Sequence, residues 1–218
     1  MSSLTDVSSV ERVEDGRVRR AARKRQRRRE QILAAAQQVF ATRGYHAAAV
    51  SDMIELAGIS RGTFYLYFDG KQAIFRELLD GFVQQLMDAV EVVDPSSPDT
   101  TPMLYANIRR VVELLFDNPN LTKVLLRAAS GLDPEVDKAL SRLDEFLLDM
   151  VMGALVNGAA WGITRKVDER IVATAIIGSI KEVLHQSLVV DGSEQIDRDN
   201  IAHSLLDYAL RGLLPTRV

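Results

Sequence analysis

The chain has 218 residues, 47% of them apolar and 6% aromatic, with a formal charge of −3, enough for one or two domains with a sizeable buried core. It holds no cysteine, which excludes a disulfide framework, thiolate metal sites and cysteine nucleophiles and is compatible with a reducing cytoplasm. Its 13 glycines and 6 prolines gather mostly at a few joints, which argues against a many-turned sheet and for helices.

The small net charge hides an asymmetry. Residues 17–76 carry thirteen bases against four acids, whereas residues 77–218 carry thirteen bases against twenty-two acids. A basic N-terminal third beside an acidic remainder suggests a polyanion-binding module joined to a part that should avoid polyanions; a solvated run of charge is the plainer alternative. The first residues show no apolar stretch before a cleavage site. The longest uncharged run, Met150 to Thr164, is interrupted by three glycines and an asparagine and falls short of the roughly 20 apolar residues that span a bilayer. A soluble, cytoplasmic protein without a membrane partner is the expectation.

In chain order, residues 1–16 are rich in serine and acids without periodicity and read as a disordered tail. Residues 17–29 hold nine bases and no acid; the residue types favour helix, but like charges four apart repel, so the segment should fray alone and order against phosphates. Ile32, Leu33, Ala36, Val39 and Phe40 then recur at helical spacing up to Gly44. A short helix fits 50–57, where Val50, Met53, Ile54 and Ala57 share a face. Gly58-Ile59 makes a sharp turn, and Ser60 is placed to cap a third helix running to Tyr67. Asp69 with Gln72 resembles a capping box for a fourth helix to about Val92. The proline-rich stretch 94–102 reads as a connector. Further helices are predicted at 103–117, 120–130, 134–158, 168–190 and 197–213, with Pro119, Pro134 and Asp191-Gly192 marking breaks.

Two short helices joined by a tight glycine turn behind a longer support helix form the skeleton of a helix-turn-helix. The second helix must offer small residues where backbone meets DNA and polar or cationic groups at its start. Residues 60–68, Ser-Arg-Gly-Thr-Phe-Tyr-Leu-Tyr-Phe, meet those demands: Phe64 and Phe68 can pack inward, leaving Arg61, Thr63, Tyr65 and Tyr67 to face outward. This stretch, within Ile32 to Leu79, resembles the TetR family of repressors. The turn glycine, the Gly-Thr-Phe-Tyr-Leu-Tyr-Phe run and the lysine just downstream carry the resemblance.

The resemblance implies an all-α fold: an N-terminal three-helix DNA-binding domain with the helix-turn-helix, then a helical-bundle ligand-binding and dimerisation domain. It divides the chain into a disordered basic extension over 1–24, the DNA-binding domain over 25–70, and the effector-binding and dimerisation domain over 71–218. Ser60, Arg61, Gly62 and Thr63 would sit at the groove, with Arg61 reading guanine. Tyr65 and Tyr67 would touch phosphates or thymine methyls, Ser51 a base or phosphate, and Lys71 a phosphate at the positive end of its helix. Arg25 and Arg28, in the basic segment, would lie along the DNA backbone or enter an adjacent minor groove, or else remain in a solvated tail. Ala49 stands where relatives place threonine or serine, so the second helix lacks its usual cap, and Ile54 stands where relatives favour alanine.

The pattern Gly58-Ile-Ser60-Arg-Gly62 also fits a hydrolase nucleophile elbow, but that elbow needs a preceding strand; a helical stretch precedes it here, and no enzymatic activity is expected. His46, His185 and His203 form no metal-spaced pair, and neither metal nor cofactor is expected. In the second domain the stripe Leu104, Ile108, Val111, Leu115 and Leu125, with Leu147, Met150 and Val151, is either plain core or the lining of a family-type effector cavity. Trp161 stands between the same two alternatives. An aliphatic lining would suit an apolar or amphipathic small-molecule effector. Ile176, Ile180, Val183, Leu184, Leu205 and Tyr208 are the expected homodimer face. One reading helix covers too little sequence for a specific operator, so two heads on near-palindromic double-stranded DNA are expected. The implied function is a ligand-responsive repressor, with a same-fold regulator under partner control, or an activator, as the alternative.

Overall fold

The computed structural model describes residues 7–97, 100–127, 134–190 and 197–213, with side chains from Arg17 on apart from Arg127. Among the described residues there are helices and no strands, and no helix is long and apolar enough to cross a membrane. In order, they are α1 (Val7–Ala47), α2 (Val50–Ala57), α3 (Arg61–Tyr65), α4 (Lys71–Ala89), α5 (Thr100–Asp117), α6 (Pro119–Arg127), α7 (Pro134–Ala160), α8 (Glu169–His185) and α9 (Arg198–Leu213), with a π-helical turn, Gln186–Val190, prolonging α8. Pro119 and Pro134 open their helices, where a missing N–H costs nothing and the fixed φ suits the first turn. The expected Asp191-Gly192 break and the first six residues lie outside the described part.

α1 differs from the expectation upstream. Instead of a disordered extension leading into a support helix, helix is continuous from Val7. Arginine, lysine, glutamine and alanine are good helix formers, and side-chain bonds along the helix offset some of the charge repulsion: Gln26 donates to Glu30 at 2.9 Å and Arg28 to Gln31 at 2.9 Å. Downstream, Gly44 at φ +74° breaks the helix as its position suggested.

α2 ends at Gly58, whose left-handed φ of +59° lets its N–H reach back to Glu55 O at 3.0 Å. Its start has no hydroxyl cap at Ala49, yet Asp52 accepts the Ala49 N–H at 3.1 Å and is held by Arg43 at 2.7 Å, half of a capping box. Restoring the other half with Ala49→Ser is expected to raise stability by about 0.5–1 kcal/mol, read as a higher urea midpoint. No gain would mean that the Arg43–Asp52 pair already satisfies this end. Ile54, half-buried, packs against the core.

Gly70, not the expected Asp69, stands at the cap position of α4, and a glycine supplies no side-chain cap there. The ammonium of Lys71 instead organises this corner. The connector, by contrast, is locally built. Asp94 accepts from the Ser96 N–H at 2.9 Å and hydroxyl at 2.7 Å, and these bonds hold its carboxyl below the ordinary carboxylate range.

One apolar core joins the head to the body. Ile32, Phe40, Met53 and Phe64 belong to the same buried cluster as Ile74, Phe75 and Phe82 of α4, Val112 and Phe116 of α5, Val124 of α6 and Leu184 of α8. Packing therefore does not divide at residue 70: α1 packs on α6, and α4 on α5 and α7. A smaller cluster, Leu155, Ala173 and Leu213, closes the far end, where Arg165 donates to Gly212 O at 2.9 Å.

Candidate nucleic-acid interface

Ser60 sets the start of α3. Its hydroxyl accepts the Thr63 N–H at 3.1 Å and lies 2.9 Å from the Thr63 hydroxyl, satisfying a first-turn donor. That occupation, with helix on either side and no strand among the described residues, leaves the nucleophile-elbow pattern without its geometry. Phe64 and Phe68 are buried and anchor the short helix, as expected. The outward set differs. Arg61, Gly62, Tyr65 and Leu66 are exposed, whereas Thr63 and Tyr67 are half-buried. These positions, i, i+1, i+4 and i+5, form one helical ridge, on which Tyr65 is 46% and Leu66 74% exposed. Arg61 lies over the Tyr65 ring, 5.8 Å from its centroid, which pre-orients the guanidinium. Alternation about the two phenylalanines hid Leu66; helical phase counted from Arg61 would have found it. Ser51 is exposed on α2, available to the same partner.

Lys71 is placed otherwise than the resemblance implied. Its three ammonium protons face the carbonyls of Tyr45 at 3.0 Å, His46 at 3.0 Å and Ala48 at 3.1 Å, and Nζ lies 4.8 Å from the Tyr45 ring centroid. A fully engaged donor set at the broken end of α1 makes it an internal clamp, not a phosphate ligand in this state.

Arg29 is a second clamp that the sequence did not announce. It forms a two-pronged pair with Glu77 of α4, reaches Tyr67 O at 3.4 Å and stacks 4.6 Å from the centre of the Phe68 ring. The hydrogen bond and charge of Glu77 raise the Arg29 pKa above its ordinary value against a smaller opposing effect of burial. Next to it, Gln31 donates to Ala57 O at 2.6 Å. The end of α3 and the end of α2 are thus fastened to α1 and α4. Arg25 is exposed, and Arg28 is half-buried.

In the body, the expected effector lining is dispersed. Leu115 is buried in the core, and Ile108, Val111, Leu125 and Leu147 pack against it. Val151 belongs to the far cluster, and Leu104 and Met150 are half-buried. Trp161 is 44% exposed, because α7 stops at Ala160 and Gly162, at φ +73°, turns the chain there. A cleft of about 440 Å³ opens instead between α4 and α7, with Leu79, Val83, Ala139, Leu143 and Phe146 among the exposed charges of Arg76, Lys138, Arg142, Asp80 and Glu135. Of the expected dimer face, Leu184 alone is withdrawn into the protein's own core, while Ile176 and Ile180 stay half-buried. Leu184, 3% exposed, points into the core; Ile176 packs in the far cluster and Ile180 against the main core. Val183, Leu205 and Tyr208, the last 69% exposed, share an open groove between α8 and α9 with Ser179, Ile201 and Ser204.

The sequence model of the family described as bacterial regulatory proteins, tetR family, matches residues 32–78, which are the support helix, α2, α3 and the first half of α4. Over nearly its whole length the chain is similar to an uncharacterized HTH-type transcriptional regulator, YdgC of Bacillus subtilis, with 28% identity, 86% of this chain and 93% of the relative covered. It is also similar to the fatty acid metabolism regulator protein of the same organism, with 27% identity covering 84% and 94%. Among solved structures it superposes on FadR of Bacillus subtilis in complex with stearoyl-CoA with a TM-score of 0.68 and 26% identity, covering 84% of this chain and 98% of that one. With its helix-turn-helix and support helix matched by that model, residues 32–78 form a TetR-family DNA-binding domain, and the chain as a whole is similar to HTH-type transcriptional regulators.

Proposed function

We propose that the protein is a ligand-responsive repressor that binds a near-palindromic operator as a homodimer. One observation carries the DNA half of this: the ridge Arg61, Gly62, Tyr65 and Leu66 stands exposed on a helix anchored by two buried phenylalanines. Such a ridge fits a major groove, with Arg61 donating to a guanine edge. One short ridge reads too few base pairs, and the apolar groove of Val183, Leu205 and Tyr208 supports pairing of α8 and α9 with their copies, which presents two ridges.

The effector is proposed to be an acyl thioester of coenzyme A, on the similarity to FadR solved with stearoyl-CoA. The α4–α7 cleft supports an amphipathic anion, since its apolar walls carry three cations, Arg76, Lys138 and Arg142, against two carboxylates, Asp80 and Glu135, the latter paired with Arg76. α4 links the two ends: Lys71 and Glu77 hold the head, while Leu79 and Val83 line the cleft. A ligand that favours one tilt of α4 would shift the spacing of the two ridges, only as far as its affinities for the two states differ.

Selection of bound duplexes from random DNA tests this directly. The expected result is a two-fold consensus, to which Arg61→Ala binds about 10–100-fold more weakly, and from which stearoyl-CoA releases the wild type. Absence of any enriched sequence, or a site without two-fold symmetry, would overturn the dimeric reader.

A further inference from the structure

We propose that one face of α1, formed by Arg20, Arg23, Lys24, Arg27 and Arg28, is a second duplex-binding surface that engages phosphates flanking the half-site under α3. The proposal rests on α3 being the DNA reader and adds a surface that the reading motif does not contain.

Helical phase makes the stripe. Positions 20, 23, 24, 27, 28 and 31 follow the i, i+3, i+4, i+7, i+8, i+11 pattern of one face, and these six side chains line a common shallow groove. The face leads directly into the reading motif. Arg28 donates to Gln31 Oε1 at 2.9 Å, and Gln31 Nε2 donates to Ala57 O at 2.6 Å, at the last residue of α2 before the turn into α3. On the opposite side of α1, Arg29 is fastened to Glu77 and Tyr67 O. Held on both sides at residues 28–31, α1 carries the stripe out from the turn into α3 on one continuous helix, instead of trailing it on a loose tether.

The charge of the stripe is left open. Among the described residues no carboxylate pairs with Arg20, Arg23, Lys24 or Arg27, and Arg20–Lys24, Arg23–Arg27 and Lys24–Arg28 are like-charged pairs four apart, each of which weakens an isolated helix. A row of phosphates removes that repulsion and releases counterions. The segment from 20 to 28 rises about 12 Å at 1.5 Å per residue, the length of about three to four phosphates along one strand at 3.4 Å each. A membrane surface is the poorer fit, because an interfacial helix needs a broad apolar face and residues 17–28 offer only Val18, Ala21 and Ala22. Arg25, 100° from Lys24, falls off the stripe.

The test uses the full-length protein and two duplexes carrying the selected consensus, one trimmed to it and one with ten random base pairs on each side. The wild type is expected to bind the flanked duplex roughly tenfold more tightly at low salt, with a log–log salt slope steeper by about 0.9 for each added phosphate contact. The variant R20Q/R23Q/K24Q/R27Q should lose the flank preference and the extra slope while selecting the same consensus, and K166Q, which removes an exposed charge in the loop before α8, should behave as wild type. Glutamine keeps helix propensity, so unchanged helical circular dichroism accompanies the expected result. A quadruple variant with wild-type slope and flank preference overturns the proposal, as does one that selects a different consensus. Equal competition by anionic vesicles or single-stranded RNA overturns the duplex assignment. A wild type that binds no duplex at all would instead refute α3 as reader.

Discussion

Replacing Gly62 with alanine is expected to stabilise the free protein by about 0.4–1 kcal/mol while weakening binding to the selected duplex roughly tenfold or more. The two effects have opposite signs because nothing inside the protein asks for glycine there. Its φ lies outside the positive range that Gly44, Gly58 and Gly162 occupy, and a Cβ built on it would meet no atom closer than Ser60 Oγ, 4.0 Å away. A glycine inside a helix costs conformational entropy, so alanine should be preferred in solution. The bare backbone lies between Arg61, Tyr65 and Leu66 on the exposed ridge, where a missing side chain allows a sugar or base edge to approach. Urea unfolding and duplex titration of the same variant read the two signs. A higher midpoint with undiminished affinity would remove close approach as the reason for this glycine.

Lys71→Met should act on the fold before it acts on DNA. The substitution keeps the apolar stem and removes an ammonium that accounts for three carbonyls near the end of α1. Bonds to a charged group contribute about 1.5–3 kcal/mol each and do not add fully, so a loss of about 2–3 kcal/mol is expected. It should appear as a lower urea midpoint, with the salt dependence of DNA binding unchanged. The opposite pattern, wild-type stability with a slope shallower by about 0.9 per protomer, would return Lys71 to the phosphate role that its position in the motif suggested. The difference matters for signalling too. With Lys71 tied to the α1 end and Glu77 tied to Arg29, these two attachments between α4 and the head are internal, so under the proposed mechanism a change of α4 tilt at the cleft would reach α3 through the protein itself.

Several local signals were fully legible in the sequence. The bounds of α2, the left-handed Gly58, the Ser60 cap and the inward pair Phe64 and Phe68 depend on residues within four positions of one another, and short-range sterics and hydrogen bonding decide them. The apolar periodicity that marked α1, α4 and the body helices works the same way. The conflicts between local preferences were harder to resolve. Residues 17–29 are helix formers carrying like charge, and the Gln26–Glu30 and Arg28–Gln31 bonds, with the anchorage of Arg29, tip that balance toward helix.

Sequence by itself determined the helical class, the helix-turn-helix, its anchoring phenylalanines and the separation of a basic head from an acidic body, because each follows from residue type and spacing along the chain. Only the tertiary structure decided which apolar face its own chain covers. Leu184 and Val183 are neighbours with the same hydrophobic character, yet one is core and the other lines an open groove. It also decided where cations are spent. The partners of Lys71 lie 23 to 26 residues away and those of Arg29 lie 38 and 48 residues away, so their roles depend on which carbonyls and carboxylates the packed helices bring together, a property that no short-range pattern encodes.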